Sequence, residues 1–259
     1  MRIYIPSSGR AKMLHTVNNL PTELHPRITL VVPQNEQAEY ERFNLDDIAI
    51  AAPSIPGGIG HARQWCCDQE PEKVLMMDDD LVFASRREDE PTKFRDAEDV
   101  EIGMLIDQIS AELDNYASVG VATREGGNRD ISDYALNTRL LRVLAYRTGI
   151  LNIEGIRFDQ IPVMEDFYVA LQLLTRGYEN VKLNHMVHNQ GSSNSEGGCS
   201  QYRTPQVQAN AAYELERHFP NFVKVTEKTT KTAWGGGTRT DVIIYWKKAL
   251  KSAGVVQDV

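Results

Sequence analysis

The chain has 259 residues, 41% hydrophobic and 25% charged, with a formal net charge of −8, a mixture that supports one large or two small domains around a substantial core. No apolar run is long enough to span a bilayer, and the opening MRIYIPSSGRAK lacks a signal-like hydrophobic segment, so a cytoplasmic protein without membrane contact is expected. Three cysteines, two of them adjacent (Cys66, Cys67) and none in CxxC spacing, speak against a disulfide framework and a structural zinc site.

In chain order, β-branched runs at Arg2–Pro6, Ile28–Pro33, Asp47–Ala51 and Lys73–Met77 predict strands. Helix-sized stretches at Ala11–Asn19, Glu36–Phe43 and Gly60–Gln69 lie between them. Strands alternating with helices imply right-handed crossovers and a mostly parallel sheet, so the first half reads as a doubly wound, nucleotide-binding layer. Asp96–Tyr116 predicts the clearest helix, with Ile102, Leu105, Ile106, Ile109 and Leu113 on one face and acidic residues at its start. Ser118–Ala122 and Leu140–Tyr146 read as strands, with a polar loop at Arg124–Asp133. A helix is expected over Asp166–Arg176, stopped by Gly177. A strand at Val181–Val187 and a Gly/Ser-rich loop at Asn189–Gln201 follow, the loop having the composition of a mobile active-site lid. Thr204–Phe219 predicts a helix opening on Pro205, and the remainder shows no clear pattern.

The chemistry concentrates in VLMMDDDLVF, Val74–Phe83. Three carboxylates follow an apolar strand at the sheet edge where α/β proteins bind ligands. Their mutual repulsion calls for a cation, and hard oxygen donors suit Mg²⁺ or Mn²⁺; a solvated acidic turn is the alternative. Met164-Glu165-Asp166 opens a helix, where a carboxylate is either an N-terminal cap or a general base with a supporting partner. PGGIGHAR, Pro56–Arg63, and SSGRAK, Ser7–Lys12, are loops in which backbone N–H groups and an arginine could meet a phosphate, although such turns are common. His188, in a dense polar and glycine run, is either a hydrogen-bonding residue or an imidazole ligand for Mn²⁺.

These pieces in this order resemble a GT-A glycosyltransferase, and more narrowly the TET-associated glycosyltransferases of bacteriophages. The segments that carry the resemblance are IPSSGR, GIGHAR, MMDDDLVF, MEDFYVALQLL and HNQGSSNSEGGCSQYRT, which span most of residues 1–205. The resemblance implies an α/β GT-A-like sheet with helices on both faces, in one domain over residues 1–259. Within it, 1–120 would bind the nucleotide sugar, 121–220 would hold acceptor and catalytic groups, and 221–259 would be an addition. It implies Mn²⁺ or Mg²⁺ and a nucleoside-diphosphate sugar, a UDP-sugar by preference, as donor. The acceptor would be a hydroxyl on a hydroxymethylated pyrimidine of phage DNA, such as hydroxymethylcytosine, in the host cytoplasm.

Carried over by position, Asp78, Asp80 and His188 would hold the metal, with Asp79 orienting. Pro6, Ser7, Arg10, Gly60, Arg63 and Asp78 would line the nucleotide or its diphosphate. Asp166 would deprotonate the acceptor beside Glu165, in one inverting displacement. Charge enters here with two signs: −12 over residues 1–180 and +4 over residues 181–259. An acidic chain does not coat nucleic acid indiscriminately, so the last third offers the docking face, unless its lysines are merely solvated. Two other readings share the acidic strand end: a metal-dependent nucleotidyltransferase, and a sugar-nucleotide-binding module without catalysis.

Overall fold

The computed structural model describes residues 1–43, 47–190, 198, 202–230 and 237–254. The chain opens with β1 (Arg2–Pro6), α1 (His15–Asn19), β2 (Ile28–Val31), α2 (Gln37–Glu41), β3 (Ala49–Ala51), α3 (Ile59–Gln69) and β4 (Lys73–Met77). The middle contributes β5 (Leu81–Arg86), β6 (Phe94–Asp96), α4 (Asp99–Glu112), β7 (Ser118–Thr123), the single turn α5 (Arg124–Gly127), β8 (Tyr134–Leu136), β9 (Val143–Arg147) and α6 (Thr148–Glu154). Then come α7 (Glu165–Thr175), β10 (Asn180–Gln190), α8 (Pro205–His218), β11 (Val223–Thr230), β12 (Gly237–Ile244) and α9 (Trp246–Ala253).

Among the described residues, ten strands share one sheet in the order β3-β2-β1-β4-β9-β7-β10-β5-β6, with β8 also on β10. The β3–β2, β2–β1, β1–β4 and β7–β10 ladders are parallel. Only β5, β8 and β9 run against the common direction, so the sheet is mostly parallel, as the alternating pattern predicts. Period-2 alternation divides the core between its two faces. Ile3, Ile5, Leu75, Met77 and Val143 point toward α1, α2 and α4. Their neighbours Tyr4, Val74, Met76, Leu144 and Tyr146 point toward α3, α6 and α7. Helices therefore cover both faces. No helix among the described residues is long and apolar enough to cross a membrane.

Several boundaries differ from the sequence expectation, each for a local reason. The first helix is only His15–Asn19, because residues 7–13 are held in turns beside Asp79. The long helix starts at Asp99, where Glu98 and Glu101 form a reciprocal capping box. Three short strands in the middle lie in segments read as polar or left unassigned, β5 directly after the aspartates, then β6 and β8. β10 is longer than predicted and irregular between Leu183 and Val187; its first part pairs β8 and its last part β5. The expected loop at Asn189–Gln201 begins with Asn189 and Gln190 inside that strand; residues 191–197 and 199–201 lie outside the described residues.

The C-terminal stretch that shows no sequence pattern forms an antiparallel hairpin, β11–β12, followed by α9. Val223, Val242 and Ala249 pack with Ala212 and Leu215 of α8 against Phe167, Leu171 and Leu174 of α7. Thr204 caps α8 by accepting the Val207 N–H, and Pro205 occupies its first turn as expected.

Gly60, expected at a phosphate, has a packing role in this fold. A Cβ there would lie 2.7 Å from the Phe158 carbonyl oxygen, so α3 and the turn at Phe158–Gln160 touch backbone to side. Gly60→Ala should cost about 1–3 kcal/mol of overpacking, partly offset by about 1 kcal/mol of helix propensity. Calorimetric melting should show a lowered Tm with nucleotide affinity unchanged at low temperature; a phosphate-contacting glycine would give the opposite pair of results.

Candidate active site

The aspartate turn sits where β4 ends and is held by hydrogen bonds along its backbone. The Thr16 hydroxyl donates to the Asp78 carbonyl at 2.5 Å and accepts the Leu81 N–H at 2.8 Å, while Thr16 N–H donates to the Asp79 carbonyl. Asp78 N–H in turn donates to the Arg142 carbonyl at 3.0 Å. These bonds fix the three side chains in different directions, and each meets a different environment.

Asp79 is buried and fully used: its Oδ1 accepts from Arg10 at 2.6 Å and its Oδ2 from the Ser7 hydroxyl at 2.5 Å. Because Ser7 donates its proton to Asp79, the Tyr40 hydroxyl donates to Ser7, and Tyr40 itself accepts the Arg10 N–H. The result is a continuous chain of donors ending on a carboxylate, in which each bond polarises the next. Even so, burial raises the Asp79 pKa above the ordinary carboxylate value, opposed by Ser7 and Arg10. Glu36 holds the same loop from outside, accepting from the Ser8 hydroxyl and the Gly9 N–H. Pro6 ends β1 just before this loop.

Asp80 shares Arg10 through Oδ2 at 3.1 Å, but its buried Oδ1 has no hydrogen-bond partner among the described residues. Asp78 accepts from Arg63 at 3.0 Å and stays 30% exposed. Burial raises its carboxyl pKa to about 6, Arg63 opposes this, and Asp80 and Asp79 add to it. An orphaned buried oxygen beside two other hard oxygen donors suits a divalent cation. No group of three or more His, Cys, Asp or Glu side chains is gathered for a metal among the described residues, and His188 is not brought to the aspartates. His188 is fully buried on β10, where its Nε2–H donates to the Leu141 carbonyl at 3.1 Å. Its Nδ1 has no hydrogen-bond partner among the described residues, and burial, with Arg142 adding, pushes its pKa down to about 3, so the ring is neutral.

Arg63 joins the two acidic motifs. One guanidinium nitrogen meets Asp78 and another meets Glu165, the first residue of α7. Both partners of that second pair are nearly buried, with side-chain exposures of 8% and 5%. Burial raises the Glu165 pKa to about 7, against the pull of Arg63. Glu165 is thus taken up by Arg63, whereas Asp166 is partly exposed and makes no hydrogen bond or ion pair with a described residue. Met164, just ahead of them, has φ +64, a left-handed conformation that costs a residue with a Cβ about 1–3 kcal/mol. Such strain is retained where a neighbouring residue must point in one direction.

Of the expected site residues, Ser7, Arg10, Asp79 and Asp80 form one cluster and Arg63, Asp78 and Glu165 a second, the two joined through the backbone of the aspartate turn, with Asp166 at the margin. Arg10 and Arg63 are seen on carboxylates, and Gly60 is seen packed against Phe158. Sequence reasoning missed Thr16, Tyr40 and Arg142. None belongs to a local motif, since their partners lie 33 to 65 residues away in sequence or are backbone atoms. Tyr202 is a partial exception: it lies in a quoted segment, and its hydroxyl accepts the Ile59 N–H at the start of α3.

Two curated proteins, named beta-glucosyl-HMC-alpha-glucosyl-transferase, from Enterobacteria phages T2 and T6, are each 24% identical to the chain. Each match covers 85% of this chain and 81% of the relative. Among solved structures, the mannosyltransferase PcManGT from Pyrobaculum calidifontis, in complex with GDP-Man and Mn²⁺, aligns with a TM-score of 0.56 at 12% identity, over 83% of this chain and 64% of its own. GalNAc-T7 with UDP, GalNAc and Mn²⁺ aligns with a TM-score of 0.51 at 10% identity, over 82% of this chain and 47% of its own. The chain thus spans under two thirds of either solved chain. At these identities the likeness concerns the fold, which is that of GT-A glycosyltransferases. The family profile for TET-associated glycosyltransferases matches residues 1–198, and glycosyl transfer thereby displaces the nucleotidyl-transfer and binding-module readings. The chain belongs to the TET-associated glycosyltransferase family.

Proposed function

We propose that this glycosyltransferase moves a sugar from a nucleoside-diphosphate sugar to a hydroxyl on hydroxymethylated pyrimidines of phage DNA, or on a sugar already carried by them. The observation that carries this reading is the Arg63 bridge, which sets the aspartate turn and the start of α7 one guanidinium apart. Donor and acceptor chemistry then meet at one point. The phage relatives named for glucosyl transfer to glucosylated HMC support the acceptor class, and the two solved neighbours support a nucleotide-sugar donor with Mn²⁺.

In this reading Asp78 and Asp80 would hold Mn²⁺ or Mg²⁺ through their carboxylate oxygens, and His188, buried on β10 with its Nε2 on the Leu141 carbonyl, stays outside the metal shell. A bound divalent cation would offset the charge that develops on the departing nucleoside diphosphate. Asp79 keeps the turn rigid through Ser7 and Arg10, and Pro6, Ser7 and Arg10 form the wall for the nucleotide. Glu165 orients Arg63. Asp166 takes the acceptor proton as the acceptor oxygen attacks the anomeric carbon from the face opposite the leaving group, which inverts the centre.

A second stereochemical reading has one observation in its favour: the phage relatives are named for an alpha-glucosyl product. From an α-linked donor that product requires retention. NMR of the isolated product decides, since a β linkage from an α donor supports a single displacement and an α linkage removes it.

Turnover should vanish in excess EDTA and return with Mn²⁺. Asp80→Ala should abolish metal-dependent donor binding in calorimetry while leaving the fold intact, because Arg10 keeps its bond to Asp79. Full turnover in EDTA would remove the metal from the reading.

Asp166→Asn should lower turnover about 10²–10⁴-fold, the usual loss for a general base. Donor affinity should stay near wild type and stability within about 1 kcal/mol, since Asp166 lies inside the first turn of α7 after the Met164 N-cap, makes no cap hydrogen bond, and loses only its charge near the helix N-terminus. Normal turnover in this variant would return Asp166 to a helix-start role.

A further inference from the structure

The segment that leads into β9 carries two arginines whose side chains the site above leaves unused. Arg139 lays its guanidinium over the Phe167 ring, 4.5 Å from the centroid. Phe167 follows Asp166 in α7, so this contact brings Arg139 to the acceptor side. Arg142 has φ +61, and its carbonyl accepts the Asp78 N–H, which places it between Arg139 and the aspartate turn. Arg203 belongs to the same region: its Nε donates to Gln208, whose amide donates to the Thr240 carbonyl beside Asp241.

Neither the Arg139 nor the Arg142 side chain makes a hydrogen bond or an ion pair with a described residue, and Arg139 is exposed. Of the carboxylates nearby, Asp166 attracts Arg139 without forming an ion pair with it, and the others are already taken. Asp241 pairs with Lys228 and Arg239, each at 2.9 Å, and Asp78 pairs with Arg63. The surrounding protein lowers the Arg139 pKa from its ordinary value, and Arg142 and Arg203 add to this against the pull of Asp166 and Asp241. Three cations thus converge beside a single carboxylate, Asp166, that is not already paired among the described residues. Stacking uses only the face of the Arg139 guanidinium and leaves its in-plane N–H edge available, the geometry that matches phosphate oxygens.

We propose that Arg139, with Arg142 and Arg203 beside it, forms a phosphate-binding site that holds a backbone phosphate of the nucleic-acid strand presenting the target base. The proposal rests on DNA as the acceptor. The donor diphosphate is a second source of the same chemistry, but the Arg139 guanidinium packs on Phe167, next to Asp166 in α7, rather than on the aspartate turn. A phosphate fixed there sets the position of the strand along the site without reading its sequence.

The test compares the wild-type chain with Arg139→Gln and Arg139→Lys, using a duplex that contains hydroxymethylcytosine, over a range of salt concentrations. UDP and GDP binding in Mn²⁺ and melting temperature are measured in parallel. Arg139→Gln should weaken duplex binding about tenfold or more, the scale of a lost charged hydrogen bond. It should also lower the slope of log K against log salt by about 0.9, one phosphate contact. Nucleotide affinity should stay within about twofold of wild type. Arg139→Lys should restore the slope but not the full affinity, because it keeps the charge and loses the planar fork. Unchanged affinity and slope in Arg139→Gln would overturn the proposal while wild-type transfer to DNA leaves the acceptor reading standing. A loss confined to UDP or GDP binding would overturn it in favour of the donor diphosphate. A weakened duplex with an unaltered slope and a lowered Tm would reduce Arg139 to a structural role. A wild-type chain that neither binds nor modifies the duplex would overturn the acceptor reading and the proposal together.

Discussion

The site depends on neutralising carboxylates that the fold has forced together. Asp78, Asp79, Asp80 and Glu165 converge at the end of β4 and the start of α7, and two guanidinium groups, Arg10 and Arg63, hold them there. Each arginine bridges two acids, so neither ion pair is independent of the other. Burial works against the charges of Asp78, Asp79 and Glu165, as their raised pKa values show. Removing one arginine would strand two carboxylates at once, a far larger loss than a single surface pair represents.

This network also explains the division of labour among the acids. Asp79 has used both oxygens and can only hold geometry. Among the described residues, Asp80 keeps one buried oxygen without a partner, and Asp166 keeps its whole carboxylate outside the network. Groups with spare valence are the ones able to meet a ligand. Structural acids make the functional ones possible by absorbing the positive charge at fixed positions.

The helix that starts with Glu165 is packed on two sides. Val169 and Leu173 face the sheet, while Phe167, Leu171 and Leu174 face α8, the β11–β12 hairpin and α9. Position 166 is therefore set from both directions, and the C-terminal segment acts as the outer support of α7. The hairpin reaches the site through Thr240 and Asp241, which lie beside Arg203 and Arg139. A segment beyond residue 198, outside the matched family profile, thereby reaches the neighbourhood of Arg139 and the start of α7.

Local chemistry made much of this legible in the sequence. Alternating β-branched runs and helix-period stretches were enough to predict the parallel half of the sheet, and three aspartates after an apolar strand marked the sheet edge where ligands bind. The Glu-Asp pair stood out because it opens an amphipathic helix. What the sequence alone left open was partnership. That Arg63 would bind acids at positions 78 and 165, that Tyr40 would drive a proton chain onto Asp79, and that Gly60 would face a carbonyl are contacts between distant segments. The hairpin was equally silent, since Thr-, Lys- and Gly-rich strands carry little apolar alternation until α7 supplies the face they bury against. Periodicity and motif are properties of neighbours along the chain, and they determined the sheet, its edge and the candidate acids. Which acid is spent and which is left over depends on the charges packed around it, and only the tertiary structure decided that.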